Sequence, residues 1–321
     1  MSWNGKGRSA PGRWRLSAKG ERVAVFDVGT NTVLYLLAAS AGGGRLKVLD
    51  EGVAPTRLGE GLSDGAPVAA AVGRTLEALA SFVARAQRHG AADCLAVGTE
   101  VLRRGLWRKD FLGAVQSRLG LDVRVLSPEE EGALVLLAAR RSLELGLSPV
   151  VAVDVGGGSV QVARERLRGG APDVKSFQAG SVLITEEFLK GATAAGWAAA
   201  TTYLRRELAA LAPVRATAVV AGGTATAVAA IEQGLAAYDA ARIHGYAVTA
   251  AGVLALAERV YKMPLAGRRG LPGMPEGRAD IFPAGALVIA TILTRLKADR
   301  AVVSVQGVRY GVAYRYFDND A

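Results

Sequence analysis

Hydrophobic and polar positions along the chain fall into two similar series. Apolar runs at 22–27, 32–39 and 45–53, separated by Gly-containing turns, predict three strands. A Gly-rich loop, TRLGEGLSDG at 56–65, leads into an Ala- and Leu-rich segment at 67–89 whose spacing predicts a helix. A strand at 92–98, a helix near 107–119, a strand at 122–126 and a helix from 128 complete the series, and LELGLSP at 143–149 reads as a boundary. The pattern then starts over. Strands are predicted at 150–154, 158–165 and 173–178, helices near 182–190 and 197–211, a strand at 215–221 and a helix opened by GGTAT at 222–226. Helices at 249–262 and 282–297 follow. A hairpin followed by alternating strand and helix is an α/β unit, and its return after about 125 residues is a duplication of domain size, not a solenoid repeat.

The two halves also open on the same chemistry. VAVFDVGTNT (23–32) and VVAVDVGGGS (150–159) each carry an apolar strand straight into an aspartate, then into glycine and small polar residues. Ligand crevices of α/β sheets lie beyond the carboxyl ends of strands, where Asp27 and Asp154 fall. A carboxylate there can hold Mg²⁺ directly or through water, while the small residues after it let backbone N–H groups approach phosphate oxygens. Gly222, Gly223 and Thr224 add a third glycine turn where a helix N-terminus favours an anion. One such turn alone reads as an ordinary hairpin. Two matched copies predict a phosphate-binding cleft between the halves, because structural turns have no reason to recur at equivalent positions.

SPEEEG at 127–132 has the form of a capping box: Ser127 at the N-cap, Pro128 first and Glu130 third in the helix. Helix-start electrostatics accounts for Glu129 and Glu130. Glu131 points about 100° further round and is left over. It either adds to the acidic helix start or reaches the cleft as a general base. Arg57 in TRLGEGL, and Arg103 with Arg104 in TEVLRRG, are either solvated arginines or bidentate grips on phosphate. Of the two histidines, His89 is placed to cap a helix end and His244 is ambiguous; so separated a pair favours hard-oxygen Mg²⁺ chemistry over a zinc centre.

Composition narrows the classes further. With 321 residues, half of them hydrophobic, the chain can bury two domain cores. The expected division is a basic arm at 1–20, one unit at 21–145 and a second at 146–321, with the last helix able to pack back on the first unit. Cys94 is the only cysteine, which excludes an intramolecular disulfide and favours a cytoplasmic location. The longest apolar stretches, GALVLLAA and GALVIATIL, fall short of the roughly 20 residues a membrane span needs, and the N-terminus does not read as a secretory signal. Net charge is +10, and Lys6, Arg8, Arg13, Arg15 and Lys19 contribute five of those charges from the arm. The arm reads as a solvated tail, with weak nucleic-acid contacts as its alternative and no other nucleic-acid partner expected. A homodimer is left open.

The ordered motifs VFDVGTNT, RLGEGL, VGTEVLRRG, SPEEEG, VDVGGGS, AGGTATAVAAI, IHGY and MPEGRADIFPAGALVI span residues 22–317 and resemble the exopolyphosphatase and guanosine pentaphosphate phosphatase family, a branch of the actin, sugar-kinase and Hsp70 superfamily. The resemblance implies two ribonuclease H-like (actin-like ATPase) α/β domains facing a central cleft, and Mg²⁺-dependent release of terminal orthophosphate from polyphosphate or guanosine pentaphosphate. It implies a catalytic glutamate at Glu131, a phosphate-binding arginine at Arg103 and loop aspartates at Asp27 and Asp154. Gly29, Thr30 and Asn31 match the first phosphate loop, and Gly156, Gly157, Gly158 and Ser159 the second. Leu34 stands where the family usually has a basic residue, and Val160 and Gln161 where it usually reads Thr-Glu, so an amide replaces a carboxylate near the metal. VSVQGVRYG keeps Gly307 and Arg309 without their usual charged neighbours. Those departures keep two alternatives alive: a catalytically weak sensor of polyphosphate or guanosine tetra- and pentaphosphate, and an ATP-using kinase or ATPase.

Overall fold

The computed structural model describes residues 20–62, 65–103, 105–166 and 169–318, so the basic arm up to residue 19 and Arg104 lie outside the described residues. The first half holds β1 (Arg22–Val28), β2 (Val33–Ser40), β3 (Leu46–Ala54), α1 (Ala69–Arg88), β4 (Asp93–Gly98), α2 (Trp107–Leu119), β5 (Val123–Val125) and α3 (Pro128–Ser142). Its five strands are ordered β3-β2-β1-β4-β5. The first two pairings are antiparallel and the last two parallel.

The second half contributes β6 (Val150–Val155), β7 (Val160–Arg164), β8 (Asp173–Phe177), α4 (Ser181–Ile184), α5 (Ala194–Glu207), β9 (Thr217–Ala221), α6 (Gly223–Glu232), α7 (Ala240–Ile243) and β10 (Ala247–Thr249). It ends with α8 (Ala250–Tyr261), α9 (Leu265–Arg269), α10 (Phe282–Leu296), β11 (Arg300–Val303) and α11 (Val308–Asp318). Its sheet reads β10-β11-β9-β6-β7-β8. Read from the far edge, β8-β7-β6-β9-β11 repeats the first sheet's order and pairing senses, with β10 added outside. That duplicated ribonuclease H-like arrangement is the actin-like architecture.

Central strands are the ones with unbroken apolar runs. RVAVFDV in β1 and VVAVDV in β6 are buried on both faces, which only strands covered by helices on each side tolerate. Between the sheets lies a layer made of α3 and α11. Leu134, Val135 and Ala138 of α3 and Val312, Ala313 and Tyr316 of α11 share one core with Val23 and Val25 of β1 and with Val150 and Ala152 of β6. The two helices approach so closely that a Cβ on Gly311 would stand 2.2 Å from the Leu134 carbonyl oxygen. Tyr316 then ties the C-terminal helix to the first sheet, donating to Asp93 at 2.5 Å. α3 thus enters the middle of the molecule with its N-terminus, and Glu131, at the crevice.

The structure differs from the sequence reading in the second half. The helix expected over 182–190 is a single α turn followed by a π-helical turn at Thr185–Leu189. The 197–211 helix starts earlier, at Ala194, because the Thr193 hydroxyl accepts from the Gly196 N–H. The short β10, β11, α7 and α9 carry too few residues for a readable period.

Candidate active site

Both Asp-Gly hairpins close in the same way. In the first, Asp27 pairs with Leu34 and Val28 with Val33, and the Gly29 N–H donates to the Thr32 carbonyl at 3.1 Å. In the second, Asp154 pairs with Gln161 and Val155 with Val160, and the Gly156 N–H donates to the Ser159 carbonyl at 3.1 Å. The loops meet across the crevice. A Cβ on Gly157 would stand 2.7 Å from the Thr30 Cβ, and one on Gly158 would stand 2.1 Å from a Glu100 carboxylate oxygen, so larger residues would hold the halves apart. The carbonyls of Gly156 and Gly157 are taken by N–H groups of Ser181 and Val182 at the start of α4. The N–H groups of Thr30, Asn31, Gly157 and Gly158 have no backbone acceptor among the described residues, which is the arrangement a phosphate-binding loop needs.

The third turn completes the floor. Gly222 has φ +91, open to glycine at little cost, and a Cβ there would crowd an Asp154 carboxylate oxygen at 2.9 Å. Gly223 lies against the Arg278 guanidinium, 2.0 Å from where its Cβ would be. Thr224, one residue into α6, is buried with a hydroxyl that has no hydrogen-bond partner.

Three carboxylates converge here. Glu131 is 4% exposed on the first turn of α3, below the capping box that Ser127 and Glu130 form. Burial pushes its carboxyl up to about 8; Arg103 opposes the rise, and the charges of Asp154 and Asp27 add to it. Burial, then repulsion from Asp154, raises Asp27 to about 7, with Arg309 opposing. Asp154 is raised to about 6 by burial, against the attraction of Arg278. One Asp27 carboxylate oxygen is buried without a hydrogen bond. Arg103 joins the halves: it donates to Glu131 at 2.8 Å, to the Leu126 carbonyl at 3.1 Å and to the Ser159 hydroxyl at 3.2 Å. Ser159 also accepts from the buried Gln161 amide at 2.9 Å, and the Gln161 carbonyl oxygen has no partner.

Other singled-out residues are engaged in other contacts. Arg57, at φ +53, is at the crevice but paired with Asp280, at 2.8 Å through one guanidinium nitrogen and 3.1 Å through the other. Both partners are about a third or more exposed, so Arg57→Ala is expected to cost about 1 kcal/mol or less of stability. Chemical denaturation checks this, and a much larger loss would assign Arg57 a structural task the contacts do not show. His89 is the C-cap residue of α1. His244 is structural: its Nδ1 accepts from the Val305 N–H at 3.3 Å, which leaves Nε2 to donate to the Ser142 carbonyl at 3.1 Å.

Two arginines were not singled out for the site from sequence. Arg278 lies half-buried over Gly223, reaches the Thr32 hydroxyl at 3.4 Å, and is lowered to about 10 by desolvation, with Asp154 opposing. Arg309 faces Asp27 and bonds Glu51 at 3.2 Å. Arg278 falls within the motif MPEGRADIFPAGALVI, as a charge just ahead of the apolar helix α10.

Residues 37–320 match the family described as the Ppx/GppA phosphatase family. The chain belongs to that family. A Mycobacterium tuberculosis protein named exopolyphosphatase 2 is 31% identical over 314 residues, covering 91% of this chain and 97% of that one. An uncharacterized Streptomyces coelicolor protein is 39% identical over 173 residues, 53% of this chain and 50% of its own length. Among solved structures, a Ppx/GppA family member of Aquifex aeolicus superposes with a TM-score of 0.80 at 28% identity, covering 94% of this chain and 99% of that one. Among the described residues no helix is long and apolar enough to cross a membrane.

Burying three carboxyls in this Ppx/GppA crevice has a stability consequence. Their folded pKa values lie above the ordinary 3.8 to 4.5, so their contribution is fully present below about pH 4 and is lost as pH rises through about 6, 7 and 8. Without divalent cations the melting temperature is therefore expected to fall by roughly 5–10 °C between about pH 5 and pH 8.5, and by less in Asp27→Asn. Thermal unfolding in a chelator checks this. A profile that rises over that window contradicts the assigned burial of these carboxyls.

Proposed function

We propose that this chain is a phosphoanhydride hydrolase that removes the terminal phosphate of inorganic polyphosphate or guanosine pentaphosphate with Mg²⁺ or another divalent cation. One observation carries the reading: Asp27 and Asp154, from matched hairpins of the two sheets, share a crevice with Glu131 and Arg103 between two loops in which the N–H groups of Thr30, Asn31, Gly157 and Gly158 have no backbone acceptor among the described residues. The cation fits these residues. Asp27 has an unpaired buried oxygen, and Asp27 and Asp154 repel each other until a positive charge intervenes. A pair of carboxylates suits Mg²⁺, an ion that keeps waters and shares phosphate oxygens. Held by Asp27 and Asp154, it would neutralise phosphate charge and polarise the phosphoryl group.

The chain's own groups supply the rest. Backbone N–H groups of Thr30, Asn31, Gly157 and Gly158 hold the terminal phosphoryl oxygens in place. Arg103 stabilises charge developing on them while keeping the Glu131 carboxylate oriented. Glu131 takes the proton of the attacking water, the P–O bond to the next unit breaks, and the shortened chain leaves with the electron pair. A base raised to about 8 by its surroundings is matched to work near neutral pH.

Gln161 supports a second reading. A buried amide in register with Asp154 brings no charge to the cation site, as a binding or sensor protein with weak turnover would have it. Orthophosphate release with Mg²⁺, comparing long polyphosphate, guanosine pentaphosphate and ATP side by side, separates these readings. Release from the first or second exceeding that from ATP is expected. Tight binding without release, unchanged by Gln161→Glu, would favour the sensor, and transfer from ATP to an acceptor would favour a kinase.

A further inference from the structure

Three openings adjoin the crevice, and they differ in charge. One, of about 350 Å³, is bordered by Thr30, Gly157 and Gly158 and carries Glu100, Glu186 and Glu187, with no Lys or Arg among its described lining residues. A second, of about 480 Å³, balances Arg57, Lys190 and Arg268 against Glu60, Glu186 and Asp280. The third is an open groove of about 1030 Å³ along the start of α2, lined by Arg103, Arg108 and Lys109 against Asp110 alone. Arg103 borders this groove while its guanidinium bonds Glu131 and Ser159, so groove and crevice share a wall. Arg108 donates to the Arg103 carbonyl at 3.3 Å, which holds the groove's cationic edge next to the site. Arg108 and Lys109 are both exposed.

A polyanion whose end is held at Glu131 trails its remaining units away from the crevice, and a cationic wall shared with the site favours one direction. Of these openings, the α2 groove is the one whose described lining carries an excess of cations, Arg103, Arg108 and Lys109 against Asp110, and that excess attracts a polyanion. We propose that the groove lined by Arg103, Arg108 and Lys109 carries the distal units of inorganic polyphosphate, making Arg108 and Lys109 chain-length determinants. This rests on the phosphohydrolase reading and gives that site a direction.

The test is equilibrium binding of long-chain polyphosphate and of tripolyphosphate, both in a Glu131→Gln background so that neither ligand is shortened during the titration. Reversing both charges, R108E with K109E, is expected to weaken long-chain binding about tenfold or more while changing tripolyphosphate affinity less than about twofold. The long-chain affinity should also lose part of its salt dependence. R118E makes the same kind of change at the far, exposed end of α2 and is expected to affect neither ligand. Equal weakening of both ligands, no weakening, or the same effect from R118E would overturn the groove assignment while tripolyphosphate binding kept the phosphohydrolase reading intact. Failure of the Glu131→Gln protein to bind tripolyphosphate at all would overturn both.

Discussion

Replacing Glu131 by Gln is expected to lower orthophosphate release by about 10²–10⁴-fold, the range general-base removal produces, with the fold intact. The amide keeps the size of the side chain and an acceptor for Arg103, so the 2.8 Å contact that orients it persists. It removes a buried negative charge that burial and two neighbouring aspartates disfavour, so the melting temperature at pH 8 should hold or rise. That combination separates a catalytic group from a structural one. A glutamate serving only the helix start would leave turnover unchanged, because Ser127 and Glu130 already close the capping box. The pH profile of the unsubstituted protein carries the same signature. Glu131 must be ionised to accept a proton, so the rate rises with pH along a limb centred at or below about 8, the cation lowering the midpoint by screening Asp27 and Asp154.

Asp154→Asn is the second large effect. Removing this charge is expected to cost at least about 10²-fold in release at ordinary Mg²⁺ and to raise the cation concentration needed for half-maximal rate. It also acts on its neighbours. Glu131 loses one of the repulsions that raise it, so the residual activity should show its acidic limb at lower pH than the parent. Arg278 loses the charge that offsets its burial and becomes less stably protonated. A rate-versus-Mg²⁺ titration at several pH values reads all of this. An unchanged half-saturating concentration would remove Asp154 from the cation site.

Much of this architecture was legible because local and global preferences agree. VAVFDV and VVAVDV announce strands buried on both faces, and a carboxylate followed at once by glycine announces that each strand stops at a ligand edge. Ser127, Pro128 and Glu130 spelled the start of α3 residue by residue. Glu131 was ambiguous for the same reason: three consecutive glutamates suit a helix dipole, and only tertiary burial marks one of them out. Arg278 and Arg309 fall in motifs the sequence displays, but they reach the crevice from far beyond the first hairpin, and only the fold shows what they face there. Arg57 shows the converse: its guanidinium reaches the crevice and is taken up by Asp280, a partner that only the fold supplies. The π-helical turn after α4 also escaped the pattern, since apolar spacing at 182–190 fits an ordinary helix equally well.

The account stands on one site that takes a polyanion together with its divalent counter-ion. Calorimetric titration of tripolyphosphate into Glu131→Gln, with and without Mg²⁺, tests this most directly. The prediction is that Mg²⁺ tightens phosphate binding at least about tenfold, and that Asp27→Asn with Asp154→Asn abolishes the enhancement. Phosphate binding that is equally tight without the cation, or an enhancement that survives loss of both aspartates, would contradict it.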